Sequence, residues 1–364
     1  MNYLYNIARR IKNSSPALRR LFSKYNNSGM SAEPTSDAAY DARLAAETQI
    51  YKDVPDIHIL PSIFHYWSDK YLRPMLEEYG INNFDHFFAK YFMESAKACN
   101  DGKPAFISIG AGNCETEVRV AKIIRNNGYT DFVIECLEMN PSMLRRGREM
   151  AESEGIAQNL DFIEEDFNKW KASKRYTGVM ANQSLHHVLN LEGLFDEIKL
   201  SLNPHGYFIT HDMIGRNGHQ RWPEALKEVH RFWQELPSEY RYNHQLNRHE
   251  EFYDNWDCSI EGFEGVRAQD ILPLLLERFD FHLFIGFANV VDVFIDRGFG
   301  HNFNADQEWD RAFIDRLHAF DEQALENGSL TPTHMVAVMT TQPYSQHLYS
   351  RGLSPERSVR KPRE

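Results

Sequence analysis

The chain has 364 residues, 42% of them hydrophobic and 25% charged, with a formal net charge of −12. That balance excludes whole-chain disorder. The lack of any uncharged apolar run of about 18 residues excludes a membrane-spanning helix; the nearest run, Phe281 to Ile295, is broken by His282, Asn289 and Asp292.

The charge is uneven. Residues 1–32 hold six bases and no acid, residues 341–364 sum to +3, and residues 33–340 carry −21. So acidic a core is a poor host for a nucleic-acid backbone, and no nucleic-acid partner is expected. Cys99, Cys114, Cys136 and Cys258 show no CxxC spacing, so a disulfide scaffold or zinc ribbon is not expected. A reducing, cytoplasmic location fits best.

In chain order, residues 1–38 read as a basic segment and linker. Within 1–28, Leu4, Ile7 and Ile11 share one helical face, and Leu18, Leu21, Phe22 and Tyr25 another. The readings are a frayed terminus, a transit peptide, or basic helices in peripheral contact with a membrane surface. Residues 39–102 read as an aromatic-rich helical cap. Most of its rings belong to core packing, with Tyr66 and Trp67 the candidates to roof a ligand pocket.

From Lys103 short apolar runs alternate with helical stretches. Strands are expected at Ala105–Ile109, Phe132–Leu137, Leu160–Ile163, Thr177–Asn182 and Gly206–Asp212. Helices are expected at Glu115–Asn127, Pro141–Glu154 and Leu191–Leu202. This order calls for a parallel, doubly wound sheet. Residues 213–265 interrupt it as an aromatic insertion, with a helix over Trp222–Glu235 and then an irregular lid. The rhythm resumes with a helix over Gln269–Arg278, a strand over Phe281–Phe287, a helix over Gln307–Leu325 and a last strand over Thr333–Thr340. Residues 341–364 read as a basic tail.

The strongest motif is FISIGAGNCETE, residues 106–117. A buried strand runs into Gly110-Ala111-Gly112 and then a helix, so the backbone passes close to a ligand at a helix start. Glu115 stands where a dinucleotide fingerprint needs its third Gly, and a carboxylate there repels phosphate. A cofactor without phosphates fits better. Glu138, in ECLEMN, ends the next strand, where an acid accepts bonds from ribose hydroxyls. Asp166-Phe167 follows the third strand, suited to an exocyclic amine and a stacked purine. Asn182-Gln183, with Ser184 to His187, follows the fourth.

Together these motifs resemble the class I S-adenosylmethionine-dependent methyltransferases over about Lys103 to Thr340. The resemblance implies a Rossmann-like, seven-stranded sheet with its last strand antiparallel. It also implies S-adenosylmethionine as cofactor, held by Gly110, Ala111, Gly112, Glu115, Glu138, Met139, Asp166, Phe167, Asn182 and Gln183. The departure is in the glycine loop, where Ser108 replaces the usual acid and Cys114 the last Gly; the acid's role passes to Glu115 or Glu117, or is lost. The stretch HDMIGRNGHQRW, 211–222, resembles a bacterial branch whose members accompany glycan-building enzymes. A small molecule or glycan, methylated at oxygen, is the expected acceptor.

Methyl transfer from a sulfonium is an in-line displacement, so the protein positions the acceptor and takes its proton. His187, His186 and His211 are the candidate bases, with Asp212 as orienting acid; each also reads as a packing histidine. His219, Arg221 and Trp222 are candidate substrate contacts. No His, Asp or Glu group has metal-ligand spacing, so no metal is expected. The competing readings are a nicotinamide-dependent oxidoreductase and a non-catalytic adenosyl-binding module.

Overall fold

The computed structural model describes residues 40–44, 60–99 and 102–361. The expected basic helices of 1–28 and the linker of 26–38 lie outside the described residues. Among the described residues no helix is long and apolar enough to cross a membrane.

The main sheet has strands β1 (Ala105–Ile109), β2 (Val133–Glu138), β3 (Leu160–Glu164), β4 (Tyr176–Asn182), β5 (Leu202–Met213), β8 (Asp280–Phe287), β9 (His334–Thr340) and β10 (Leu348–Tyr349). A separate two-residue hairpin, β6 (Tyr242–Asn243) with β7 (Arg248–His249), sits in the insertion. The order across the sheet is β10-β8-β9-β5-β4-β1-β2-β3. β1 to β5 pair in parallel, and β9 runs antiparallel to both β5 and β8. Central strands such as AFISI and HMVAVMT are continuous apolar runs because helices cover both faces of the sheet.

The expected seven strands become eight. β10 pairs in parallel with β8, and it comes from the segment that charge alone assigned to a basic tail. Ser350, Leu353 and Ser358 are buried. Arg360 sits on Glu224 at 2.8 Å, and Arg351 pairs with Glu322. A net positive composition does not imply exposure of the whole segment when acids of neighbouring helices pair with two of its bases.

Two cores flank the sheet. On one face the helix Phe84–Cys99 buries Phe87, Phe88, Tyr91 and Phe92, with Phe92 stacked on Phe106 of β1 at 4.2 Å between centroids. The helices Glu115–Asn126, Pro141–Ser153 and Glu308–Glu326 complete this layer. On the other face lie Leu191–Ser201 and Ala268–Leu276.

Tyr66 and Trp67 do not roof a pocket. Tyr66 donates to Asp315 at 2.9 Å, and Trp67 reaches the His318 ring at 3.3 Å, both on the long helix Glu308–Glu326. The aromatics of the insertion form a satellite core: Trp233, from the helix Pro223–Trp233, meets Tyr253, Phe294 and Phe299.

Candidate functional site

Strand ends β1, β2, β4 and β5 open on one crevice, as a parallel sheet with a change of winding direction requires. Gly110 (φ 70°) and Gly112 (φ 55°) make the turn out of β1. Gly110 has a second reason to be glycine: a Cβ there would lie 2.6 Å from the Ser184 Cβ. The loop is pinned by Gly110 and Ala111 N–H groups donating to the Leu137 carbonyl at 2.9 and 3.0 Å. Cys114, in place of the last Gly, is itself left-handed (φ 59°). Its side chain is accommodated because the facing residue is Gly147, where a Cβ would come within 2.8 Å of it.

Where the motif lacks its acid, a carboxylate from the following helix lies beside Ser108. Ser108 donates to Glu117 Oε1 at 2.6 Å. Burial pushes the Glu117 carboxyl up to about 7, against the Ser108 bond. Glu117 Oε2 and Asn182 Oδ1 are buried and have no hydrogen-bond partner among the described residues. Two orphan acceptors near one turn suit a ligand rich in donors or positive charge. Glu115 is only partly buried and stands 3.9 Å from Arg119.

Glu138 ends β2 and is 7% exposed. One carboxylate oxygen accepts from Gly112 N–H at 3.0 Å and the other from Asn140 N–H at 2.9 Å. Burial raises its pKa, and these backbone bonds oppose the shift. Each oxygen keeps a lone pair for a vicinal diol. Met139 follows it, partly buried against the core of the opposite face. Phe167 is buried and faces Gly110.

Asp166 is more committed than its sequence position implies. Its oxygens accept from Asn168 N–H at 2.9 Å and from the Tyr40 hydroxyl at 2.8 Å. Arg43, one turn on, donates to the Ser259 carbonyl at 2.5 Å and also to Gly262. Residues 40–44 therefore bridge the far end of the crevice to the insertion. Sequence reasoning missed this contact, since Tyr40 and Asp166 are 126 residues apart.

The histidines separate into distinct roles. His211 is sandwiched, stacked on Phe84 at 3.9 Å and 6°, and Gln183 reaches its ring at 3.1 Å. Burial pulls it down to about 3, so it packs as a neutral ring. Asp212 is fully buried and accepts from Ser184, Leu185 and Met213 N–H groups at 2.9, 2.8 and 2.8 Å. Its Oδ1 meets His186 Nδ1 at 2.7 Å. Burial disfavours the His186 imidazolium, but Asp212 and Glu264 outweigh that and push it up to about 10. A ring charged at neutral pH cannot accept a proton, so His186 does not fill the role of base. His187 is pulled down to about 4 by burial and by His186, and its side chain is 19% exposed.

Of the three candidate substrate contacts, only His219 joins the crevice. Its Nε2 meets Glu264 Oε1 at 2.7 Å. Arg221 is buried on Asp292, and Trp222 lies under Arg360 at 4.2 Å. Glu264 carried no signal in the sequence; it sits at the end of the insertion. Burial opposes its charge, yet the imidazoles of His187, His186 and His219 hold it well below the usual carboxylate range. Thus His186, His219 and Glu264, without ligand spacing in sequence, place three donor atoms within 4.8 Å of one another.

The order of strands, the glycine turn and the strand-end acid make a Rossmann-like crevice. Residues 101–271 match the family model described as a methyltransferase domain. The match spans just under half of the chain and includes the glycine turn, Glu138 and Asp166.

Among curated proteins, the chain is 28% identical over 116 residues to malonyl-[acyl-carrier protein] O-methyltransferase 2 of Ilyobacter polytropus, covering 32% of this chain and 42% of that one. It is 30% identical over 87 residues to sterol 24-C-methyltransferase erg6 of Aspergillus fumigatus, covering 24% and 23%. The matched stretches thus span under half of each relative's own length. Among solved structures, the O-methyltransferase of a trans-AT PKS multienzyme of Brevibacillus brevis, bound to S-adenosyl-L-homocysteine, aligns with TM-score 0.41 at 12% identity, covering 84% and 86%. Geranyl diphosphate methyltransferase with GPP and sinefungin aligns with TM-score 0.40 at 8% identity, covering 71% and 77%.

Proposed function

We propose that this protein is an S-adenosylmethionine-dependent methyltransferase of a small molecule or glycan, with oxygen as the acceptor atom. The observation that carries the cofactor reading is Glu138. Its buried carboxylate is oriented by Gly112 and Asn140 N–H groups at the mouth of the glycine turn. When bound, the cofactor supplies an electrophilic methyl group on a sulfonium centre. Glu138 would hold the ribose, and the orphan Asn182 Oδ1 would accept from the donor-rich methionine end. Acids at the crevice favour the positive charge.

For the acceptor, His187 is the base of this proposal, because its side chain is 19% exposed beside Glu264, with its ring 4.2 Å from that of His186. His186 is locked to Asp212, and His211 between aromatic rings. The acceptor class rests on the resemblance of the 211–222 stretch and on the O-methylating relative.

Titration calorimetry with S-adenosylmethionine, S-adenosylhomocysteine and NAD tests the cofactor reading. Binding of the first two and not of NAD is expected; binding of NAD alone would move the protein to the oxidoreductases. Mass spectrometry of extracts from cells with and without the protein, after feeding labelled methionine, would identify the acceptor.

A further inference from the structure

We propose that His186, His219 and Glu264 form a binding site for a divalent transition-metal ion, zinc foremost. The site holds whatever the chemistry of the crevice, since it rests on geometry alone. His219 Nε2 and Glu264 Oε1 are 2.7 Å apart, and His186 Nε2 is 3.4 Å from the same oxygen. His187 Nε2 is 3.7 Å from Glu264 Oε2. Zinc bonds of about 2.0–2.1 Å in a tetrahedron put ligand atoms roughly 3.3 Å apart. Accepting the ion therefore needs the His219–Glu264 contact to open and the widest donor pair, within 4.8 Å, to draw in.

The outer shell is that of a metal-binding histidine. His186 Nδ1 bonds Asp212 Oδ1 at 2.7 Å, with Asp212 itself fixed by three backbone donors. A carboxylate on one ring nitrogen sets the tautomer and aims the other nitrogen at the ion. Here that other nitrogen points at Glu264, and the ion takes the place of the proton on it, which leaves to solvent.

The three loops that supply the ligands are tied to each other. Gly218 N–H donates to the Gly265 carbonyl at 2.8 Å, and Val266 N–H to the His186 carbonyl at 3.0 Å. Gly218 must be glycine, because a Cβ there would fall 1.8 Å from Asp257 Oδ1. His219 is held in the left-handed region, φ 55°, which a residue with a side chain seldom adopts. A single His219–Glu264 hydrogen bond accounts for one pair. It does not account for three imidazoles around one carboxylate.

The donor set chooses the metal. Imidazole nitrogens with one carboxylate suit zinc and its first-row neighbours, whereas magnesium and calcium take oxygen ligands. Sequence spacing hid the site, because its ligands come from the loop after β4, the loop after β5 and the end of the insertion.

The full chain, stripped with chelator and dialysed against zinc chloride, should retain one equivalent by elemental analysis. Cobalt(II) in its place should show ligand-field bands. His219→Ala and Glu264→Gln should each weaken zinc binding by at least about 100-fold, more than is usual for loss of an outer-shell partner. An exposed control, His249→Ala, should bind as the parent does. No retained zinc, or equal retention by all four proteins, would overturn the site. Far-UV circular dichroism guards against unfolding, and a variant that unfolds is replaced by His219→Gln, judged by the same stoichiometry. Cofactor calorimetry is a separate measurement, so failure of the metal site and failure of the methyltransferase reading are distinguishable.

Discussion

Asp212 and His186 form a buried ion pair, 2.7 Å from Oδ1 to Nδ1, at the seam between β5 and the turn that follows β4. The carboxylate also caps that turn through two N–H groups. It is therefore both an orienter and a structural bolt. Asp212→Ala leaves a buried imidazolium and several backbone donors without a partner, and should cost about 3–5 kcal/mol. Asp212→Asn keeps an acceptor and should cost less. Urea unfolding with an unchanged m-value reads this; a loss under about 1 kcal/mol for the alanine variant would show that water replaces the carboxylate.

Glu138 makes the sharpest prediction for the cofactor. Glu138→Ala removes the acceptor proposed for two hydroxyls and should weaken S-adenosylhomocysteine about 10²-fold or more, since bonds to charged groups are worth about 1.5–3 kcal/mol each. Glu138→Gln should fall between. Unchanged affinity by calorimetry would remove Glu138 from the site.

Glu117 should leave a mark on the pH dependence of stability. Its carboxyl is held near 7 in the fold by burial, against an ordinary 4.5. Between those values the folded chain keeps a proton that the unfolded chain has released. Stability is thus fully present below about 4.5 and falls as pH rises through about 7, by about 3 kcal/mol for this group. Glu117→Gln retains an acceptor for Ser108 without the titration. Relative to the parent it should gain stability steadily from pH 4.5 to 7.5 in thermal melts. A constant difference across that range would mean that Glu117 ionises normally.

Gly110→Ala meets two obstacles, the positive φ and the Ser184 side chain 2.6 Å from the added carbon. Loss of cofactor binding is expected, with destabilisation of about 1–3 kcal/mol. The same change at Gly112, where no atom lies within 4 Å of the added carbon, should be milder for stability. Equal melting temperatures for the Gly110 variant and the parent would contradict the close approach.

Tyr40 competes for the acid expected to read the adenine amine. Tyr40→Phe frees one Asp166 oxygen and should alter affinity for S-adenosylhomocysteine by about 3- to 10-fold, the scale of one hydrogen bond. A tighter complex would mean that the hydroxyl blocks the site, and a weaker one that residues 40–44 help close it. No change would detach this segment from the crevice.

The sequence by itself determined the sheet and one half of the crevice. Alternating apolar runs and helical stretches set β1 to β5, because burial on both faces demands continuous hydrophobic strands. Gly110, Gly112 and Glu138 were legible because local backbone geometry at a strand end admits few residue types. The tertiary structure decided the rest. It turned part of the expected basic tail into β10, which pairs with β8 and is tied down by ion pairs from Arg351 to Glu322 and from Arg360 to Glu224. It placed Ser108 on Glu117, and sorted three equivalent-looking histidines into one packed between rings, one bonded to Asp212 and one partly exposed beside Glu264. It brought Glu264 and His219 to His186 across 78 and 33 residues of chain. Such contacts have no period and no fixed spacing in sequence. They exist only once the loops that follow β4 and β5, and the end of the insertion, are folded against one another.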